Sequence, residues 1–162
     1  MRVLFVDDAC AVVHAFTAKL KAMGHEVVAA ANGAEALERF REISPDLVFM
    51  DIAMPVMDGF ETVRHIRAFE ATRQWAWTPV IFLTATDTAE NLVASIHAGG
   101  DAFIAKSAPT EVLEAYMMAM ARIAALRAEL SRANRKLANL ANLDGLTGLF
   151  NRRYMDQRLD EL

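Results

Sequence analysis

Carboxylates stand at the ends of two short apolar runs: Asp7 and Asp8 follow Val3-Leu4-Phe5-Val6, and Asp51 follows Leu47-Val48-Phe49-Met50. Two later runs of the same kind lead into a hydroxyl, Thr84, and an ammonium, Lys106. Three carboxylates brought into one crevice repel one another, and a hard divalent cation taking oxygen ligands is the usual relief, with Mg²⁺ the best fit. Beside such a cation a carboxylate can act as a nucleophile toward a phosphoryl group, provided that positive charge and hydrogen-bond donors meet the transferred oxygens. Lys106 supplies the charge and Thr84 the donor. Taken singly, Lys106 reads as a surface lysine and Thr84 as a strand-end hydroxyl capping the next helix. The set at four strand ends is what carries the reading.

The elements that must position these groups follow from the hydrophobic pattern. Val/Ile/Leu/Phe runs near 2–6, 25–29, 46–50, 79–83 and 101–105 alternate with helical periodicity near 10–22, 33–42, 59–72, 88–97 and from 110 onward. That is a (βα)5 pattern, an α/β fold with a parallel sheet covered on both faces. Ligands of such sheets bind in the crevice outside the carboxyl ends of the strands, so the five side chains converge. Gly24, Gly99 and Gly100 sit just past helical patterns, where a left-handed residue can end a helix. After Pro109 helical spacing runs without Gly or Pro until Gly145, too far for an ordinary terminal helix of a globular domain.

Over roughly residues 1–120 these residues resemble the response-regulator receiver family. The match comprises Asp7-Asp8, Asp51, the stretch Met54-Pro55-Val56-Met57-Asp58-Gly59, Thr84-Ala85 and Lys106. The resemblance implies a doubly wound sheet of flavodoxin-like order 2-1-3-4-5. It also implies that Asp51 accepts a phosphoryl group from a histidine kinase or phosphotransfer protein. Asp8, Asp51 and the backbone carbonyl of Ala53 would hold Mg²⁺, with Asp7 assisting through water. Lys106 would pair with Asp51 and the phosphate, its head facing the phosphate and not the metal. Thr84 and Ala85 would lie on the phosphate side, Thr84 swinging inward to bond an oxygen, and Phe103 matches the switch aromatic. One departure stands out: receivers usually follow the lysine with a proline in a cis peptide, whereas Ser107 follows here and the proline comes at Pro109. A cis bond before a non-proline residue costs about 2.5–4 kcal/mol, so a trans Lys106-Ser107 peptide is expected.

From Tyr116 the apolar residues Tyr116, Ala119, Ile123, Leu126, Leu130, Ala133, Leu137 and Leu140 alternate spacings of three and four, an a/d heptad seam. The expectation is that the last helix continues over 110–142 as a parallel two-stranded stalk, making the protein a homodimer through stalk and receiver. Alanine fills some d positions thinly, and Arg122 at g would face the partner's Arg127 at e, so the coil is expected to be modest in stability.

The closing segment, 143–162, carries a second resemblance. Asp144-Gly145-Leu146-Thr147-Gly148-Leu149-Phe150-Asn151-Arg152-Arg153 looks like the opening D-x-L-T-G-L-x-N-R-R of the diguanylate cyclase, or GGDEF, domain. The resemblance implies a receiver-controlled synthesis of cyclic di-GMP from GTP, with the cyclase's catalytic residues absent from this chain and the fragment itself no enzyme. A stand-alone receiver adaptor acting by protein binding, or an engineered fusion of receiver and stalk with another output, are the alternatives. Gly99-Gly100-Asp101-Ala102-Phe103 imitates the cyclase signature but falls at the start of the fifth strand, where the glycines end a helix.

Composition narrows the class further. With 54% hydrophobic residues, 23% charged and a net charge of −4 over 162 residues, the chain suits a cytoplasmic protein with one well-buried domain. No apolar run approaches the ~20 residues of a membrane span, and the first residues enter a strand pattern without a signal-peptide core. The acidic balance argues against nucleic acid as a partner. The single cysteine, Cys10, excludes an intrachain disulfide. His14, His25, His65 and His97 lack metal-ligand spacing, and Trp75 and Trp77 are expected to shield the start of the fourth strand.

Overall fold

The computed structural model describes residues 1–73 and 77–142, and Trp75 and the segment 143–162 with its cyclase-like motif lie outside the described residues. Five strands and five helices alternate: β1 (Arg2–Val6), α1 (Cys10–Ala22), β2 (Glu26–Ala30), α2 (Gly33–Ile43), β3 (Leu47–Asp51), α3 (Gly59–Ala71), β4 (Val80–Thr84), α4 (Ala89–His97), β5 (Ala102–Ala105) and α5 (Thr110–Asn142). All the strands pair in parallel in the order β2-β1-β3-β4-β5. The expected topology is therefore present, and β2 to β5 each begin one residue later than the hydrophobic runs suggested.

Alternation along the strands sorts the core into two layers. Leu4, Val6, Val48, Met50, Val80 and Phe82 pack with Ala36 and Phe40 of α2 and with Val63 and Ile66 of α3. Val3, Phe5, Leu47, Phe49, Ile81 and Leu83 point the other way, onto Leu20 of α1 and onto Leu113, Met117 and Met120 of α5. Strands covered on both faces need no polar alternation, which is why they read as continuous apolar runs. The helices start where the sequence offers acceptors. The Asn32 side chain accepts from Glu35 N at 2.9 Å while Glu35 Oε2 accepts from Ala31 N, and Asp58 accepts from Glu61 N at 2.8 Å. Gly24 and Gly99 take the left-handed conformation expected of them, with φ of 86° and 100°, but Gly100 does not. Gly100 serves a different need: a Cβ there would run into the Phe82 ring.

The chain divides into two compact units, Met1–Ala124 and Ala125–Leu162. In the first, Tyr116 and Ala119 pack against the core layer beneath α5, so the opening positions of the proposed heptad seam belong to the fold itself. The later positions differ. Ile123, Leu126, Leu130, Leu137 and Leu140 are exposed large hydrophobics, and Ala133 is exposed with them.

Candidate functional site

β1, β3, β4 and β5 bring their carboxyl ends to one edge, and with them Asp7-Asp8, Asp51, Thr84 and Lys106. Register makes the convergence unavoidable: Met50 lies beside Val6 and Thr84 beside Ala105, so each functional residue at or just past a strand end meets the next. α3 closes against the same edge, because Gly59 leaves no room for a Cβ beside the Asp51 carbonyl oxygen.

Asp7, Asp51 and Thr84 are buried, while Asp8 is exposed. Lys106 Nζ lies 2.7 Å from Asp7 Oδ2 and 3.0 Å from Asp51 Oδ1. The ammonium thus spans two carboxylates, where the resemblance implied Asp51 and the phosphate as its partners. Its contact with Asp7 Oδ2 is close in distance but lacks hydrogen-bond alignment, leaving that buried oxygen with a charge partner and a free lone pair. Asp7 Oδ1 is occupied, accepting from Ala9 N at 2.9 Å. Burial holds the Asp51 carboxyl above its ordinary value of 3.8, and the Asp7 charge adds to the rise against the opposing pull of Lys106. Burial alone would lower Lys106, but its two carboxylate partners outweigh it and hold the ammonium above 10.5.

One oxygen from each of Asp7, Asp8 and Asp51 can be chosen so that all lie within 4.8 Å of one another. Oxygens about 2.1 Å from an octahedral Mg²⁺ stand about 2.9 Å apart in cis and about 4.2 Å in trans, so a small closure brings this set onto one ion. The donors are all hard oxygens, and the unaligned Asp7 Oδ2 supplies an orphan acceptor. The residues fit a divalent cation.

Other expected participants are placed less directly. Ala53 is exposed in the loop that follows β3, and Val56 in the same loop has φ of 71° with Met57 N donating to Pro55 O at 2.8 Å. This γ-turn about a β-branched residue costs of order 1–3 kcal/mol, strain stored beside the acidic cluster. Ala85 follows Thr84 at the end of β4, and Phe103 on β5 is half-buried against the α2/α3 core layer. The peptide after Lys106 is trans, as expected, since no described peptide is cis.

A charge network at the opposite edge of the sheet was not anticipated. Arg67 bonds Glu70 Oε2 at 2.6 Å, Asp101 Oδ2 at 2.9 Å and the carbonyls of Thr78 and Gly99, and it lies 3.7 Å from the centre of the Trp77 ring. Asp101 accepts from Val80 N and from Trp77 Nε1. Asp101, the aspartate of the cyclase-like decoy, therefore anchors β4 and β5. Trp77 covers the ion network at the start of β4. The i, i+3 pair Arg67/Glu70 is a local signal, but nothing in the sequence places Asp101 beside it.

A five-stranded 2-1-3-4-5 sheet with an acidic cluster and a lysine at its carboxyl edge is the architecture of a receiver domain. The response regulator receiver domain family model matches residues 3–117, and the chain belongs to that family. It is 34% identical over 119 residues to the transcriptional regulatory protein AfsQ1 of Streptomyces coelicolor, covering 74% of this chain and 50% of that protein. It is 36% identical over 121 residues to the transcriptional regulatory protein PrrA of Mycobacterium tuberculosis, covering 75% and 50%. The chain thus spans about half the length of the curated relatives it matches. Among solved structures, the chemotaxis protein CheY4 of Vibrio cholerae superposes with a TM-score of 0.66 at 30% identity, over 74% of this chain and 97% of that one. The BeF3-activated N-terminal receiver domain of RstA from Klebsiella pneumoniae gives 0.67 at 31%, with the same coverage. The chain is a receiver domain of a two-component response regulator. Receivers work with histidine kinases or phosphotransfer proteins and bind Mg²⁺ at an acidic pocket, which here corresponds to Asp7, Asp8 and Asp51.

Proposed function

We propose that Asp51 is the phosphoacceptor of a receiver that controls a diguanylate cyclase through a dimeric stalk. The observation that carries the acceptor assignment is the Lys106 ammonium bridging Asp51 and Asp7 at the strand ends. An Asp51 carboxylate oxygen attacks the phosphorus of a phosphohistidine. The P–N bond breaks, and its electron pair leaves with the imidazole nitrogen, which takes a proton. A Mg²⁺ held by Asp7, Asp8, Asp51 and the Ala53 carbonyl would offset the charge of the transferred oxygens. Lys106 remains on Asp51 and the incoming phosphate, and the Thr84 hydroxyl turns to donate to a phosphate oxygen.

The output part of the reading rests on two features. Exposed Leu126, Leu130, Leu137 and Leu140 recur at heptad spacing in the described part of the second unit, an apolar seam that a second copy would cover. The segment 144–153 resembles the opening of a cyclase domain. The relatives AfsQ1 and PrrA carry transcriptional names, but the matches cover 74% and 75% of this chain, and the family model ends at residue 117, short of these heptads. With Mg²⁺ present, beryllofluoride or acetyl phosphate should modify Asp51 alone, and Asp51→Asn should abolish modification. Stoichiometric uptake by that variant would sink the acceptor assignment. Light scattering should show weaker association after truncation at Ala121, and equal dimerisation would move the interface to the receiver. A GG-[D/E]-E-F segment in the gene beyond Leu162 supports the cyclase output, whereas a stop codon favours the adaptor.

A further inference from the structure

Among the described residues, the Thr84 hydroxyl bonds Thr86 and no member of the acidic cluster. It donates to Thr86 O at 2.7 Å and accepts from Thr86 N at 3.0 Å, so both of its hydrogen bonds stay within its own loop. The same Thr86 carbonyl accepts from Asn91 Nδ2 at 3.3 Å. Asn91 lies in the first turn of α4, where its backbone N–H donates to the capping Thr88 hydroxyl at 3.2 Å. A chain of four groups therefore runs from the helix to the hydroxyl: the Thr88 cap fixes Asn91, Asn91 fixes the Thr86 carbonyl, and that carbonyl holds the Thr84 hydroxyl to its own loop.

We propose that Asn91 is a positioning residue, a latch on α4 that biases the Thr84 hydroxyl toward its own loop and so sets the threshold for phosphate to draw it inward. This rests on the reading of Thr84 as a phosphate ligand. When Thr84 turns to the phosphate, the Thr86 N–H loses its acceptor and the Thr86 carbonyl keeps only Asn91. The Thr86 N–H and carbonyl then exchange the Thr84 hydroxyl for other partners, the loop rearranges around them, and Asn91 carries that rearrangement into the first turn of α4. Conversely, whatever holds α4 in its present place holds Thr84 back. The coupling is reciprocal by linkage: if Asn91 in its present place disfavours the inward Thr84, drawing Thr84 inward disfavours that place of Asn91.

The test is a double-mutant cycle on the full chain, with beryllofluoride and Mg²⁺ as the probe and binding read by calorimetry. Asn91→Ala removes the amide donor and should tighten beryllofluoride binding about threefold, the worth of one exposed neutral hydrogen bond. Asn91→Leu keeps the shape, raises the helix preference, lacks the donor, and should do the same, which guards against a folding defect in the alanine variant. Thr84→Val should weaken binding, and adding either Asn91 change to it should then have no further effect. The latch is overturned if the Asn91 variants bind as the wild type does. It is equally overturned if they tighten binding as much in the Thr84→Val background, since that would be general loosening of α4. Loss of all binding in Asp51→Asn keeps these outcomes separate from failure of the acceptor assignment.

Discussion

Lys106→Met tests the charge balance of the site without a phosphodonor. The ammonium touches two carboxylates at 2.7 Å and 3.0 Å, and the Asp7, Asp51 and Lys106 side chains are 0%, 6% and 20% exposed. At an effective dielectric of ~20 each contact is worth about 6 kcal/mol of attraction, from which burial of the charges takes back a large part. Removing one member of a buried pair costs about 3–5 kcal/mol, and the partial exposure of the lysine puts this case near about 3. That is the loss expected in urea unfolding with a chelator present. The same substitution removes a positive charge that competes with a divalent cation for Asp7 and Asp51. With that competitor gone, Mg²⁺ should bind about tenfold tighter to the variant, about 1.4 kcal/mol. By linkage, saturating Mg²⁺ then returns that amount, and the loss shrinks from about 3 to about 1.5 kcal/mol. Equal destabilisation with and without Mg²⁺, at unchanged Mg²⁺ affinity, would refute the view that lysine and metal share these oxygens.

Asp51→Asn should raise metal-free stability at pH 7. The folded state holds the Asp51 proton above the ordinary 3.8, so it binds more protons than the unfolded chain in that window, and stability falls as pH rises through it. The asparagine gain should accordingly vanish below that pH, and in Mg²⁺ the sign should reverse because a ligand is lost; a destabilised variant at pH 7 in chelator would contradict this. Arg67→Met should cost about 3–5 kcal/mol in urea unfolding, because it strands Glu70 and Asp101. A loss under 1 kcal/mol would mean that the network is replaceable by water. Ala133→Leu should raise dimer stability if the exposed heptad residues meet a second copy, and sedimentation showing no change would move the pairing off that seam.

The sheet and the site were legible because both depend on local pattern. Apolar runs of four or five residues between helical stretches specify a parallel sheet, and polar residues at their carboxyl ends can only meet at one edge. What escaped the sequence depends on distances across the fold. Lys106 reaching Asp7 as well as Asp51 follows from how far β5 sits from β1, which no spacing encodes. Arg67, Trp77 and Asp101 come from three segments joined only by packing. Tyr116 and Ala119 keep the heptad phase and pack against the core layer beneath α5, and spacing cannot tell a core-facing turn from a partner-facing one. Asn91 gave no signal either, because an asparagine in a first helical turn usually serves the helix.

Charge bookkeeping on the proposed reaction explains why a hydroxyl and a helix must move at all. Asp7, Asp8, Asp51 and Lys106 leave two negative charges in the crevice, which one divalent cation cancels. Phosphorylation replaces the single charge of the Asp51 carboxylate with a phosphoryl group carrying about −1.5 to −2. The excess appears in a buried place where the Asp7 oxygen beside Lys106 is already short of an aligned donor. Lys106 can follow the new oxygens only by loosening its 2.7 Å contact with Asp7, which leaves Asp7 to the metal. The remaining charge needs a donor from within reach, and the hydroxyl of Thr84, a residue buried at the end of β4, bonds Thr86 of its own loop and is the one proposed to be released. Releasing it disturbs the one carbonyl that Asn91 holds. The chemistry at Asp51 and the position of the first turn of α4 are thus linked by the need to find one more hydrogen bond for an anion.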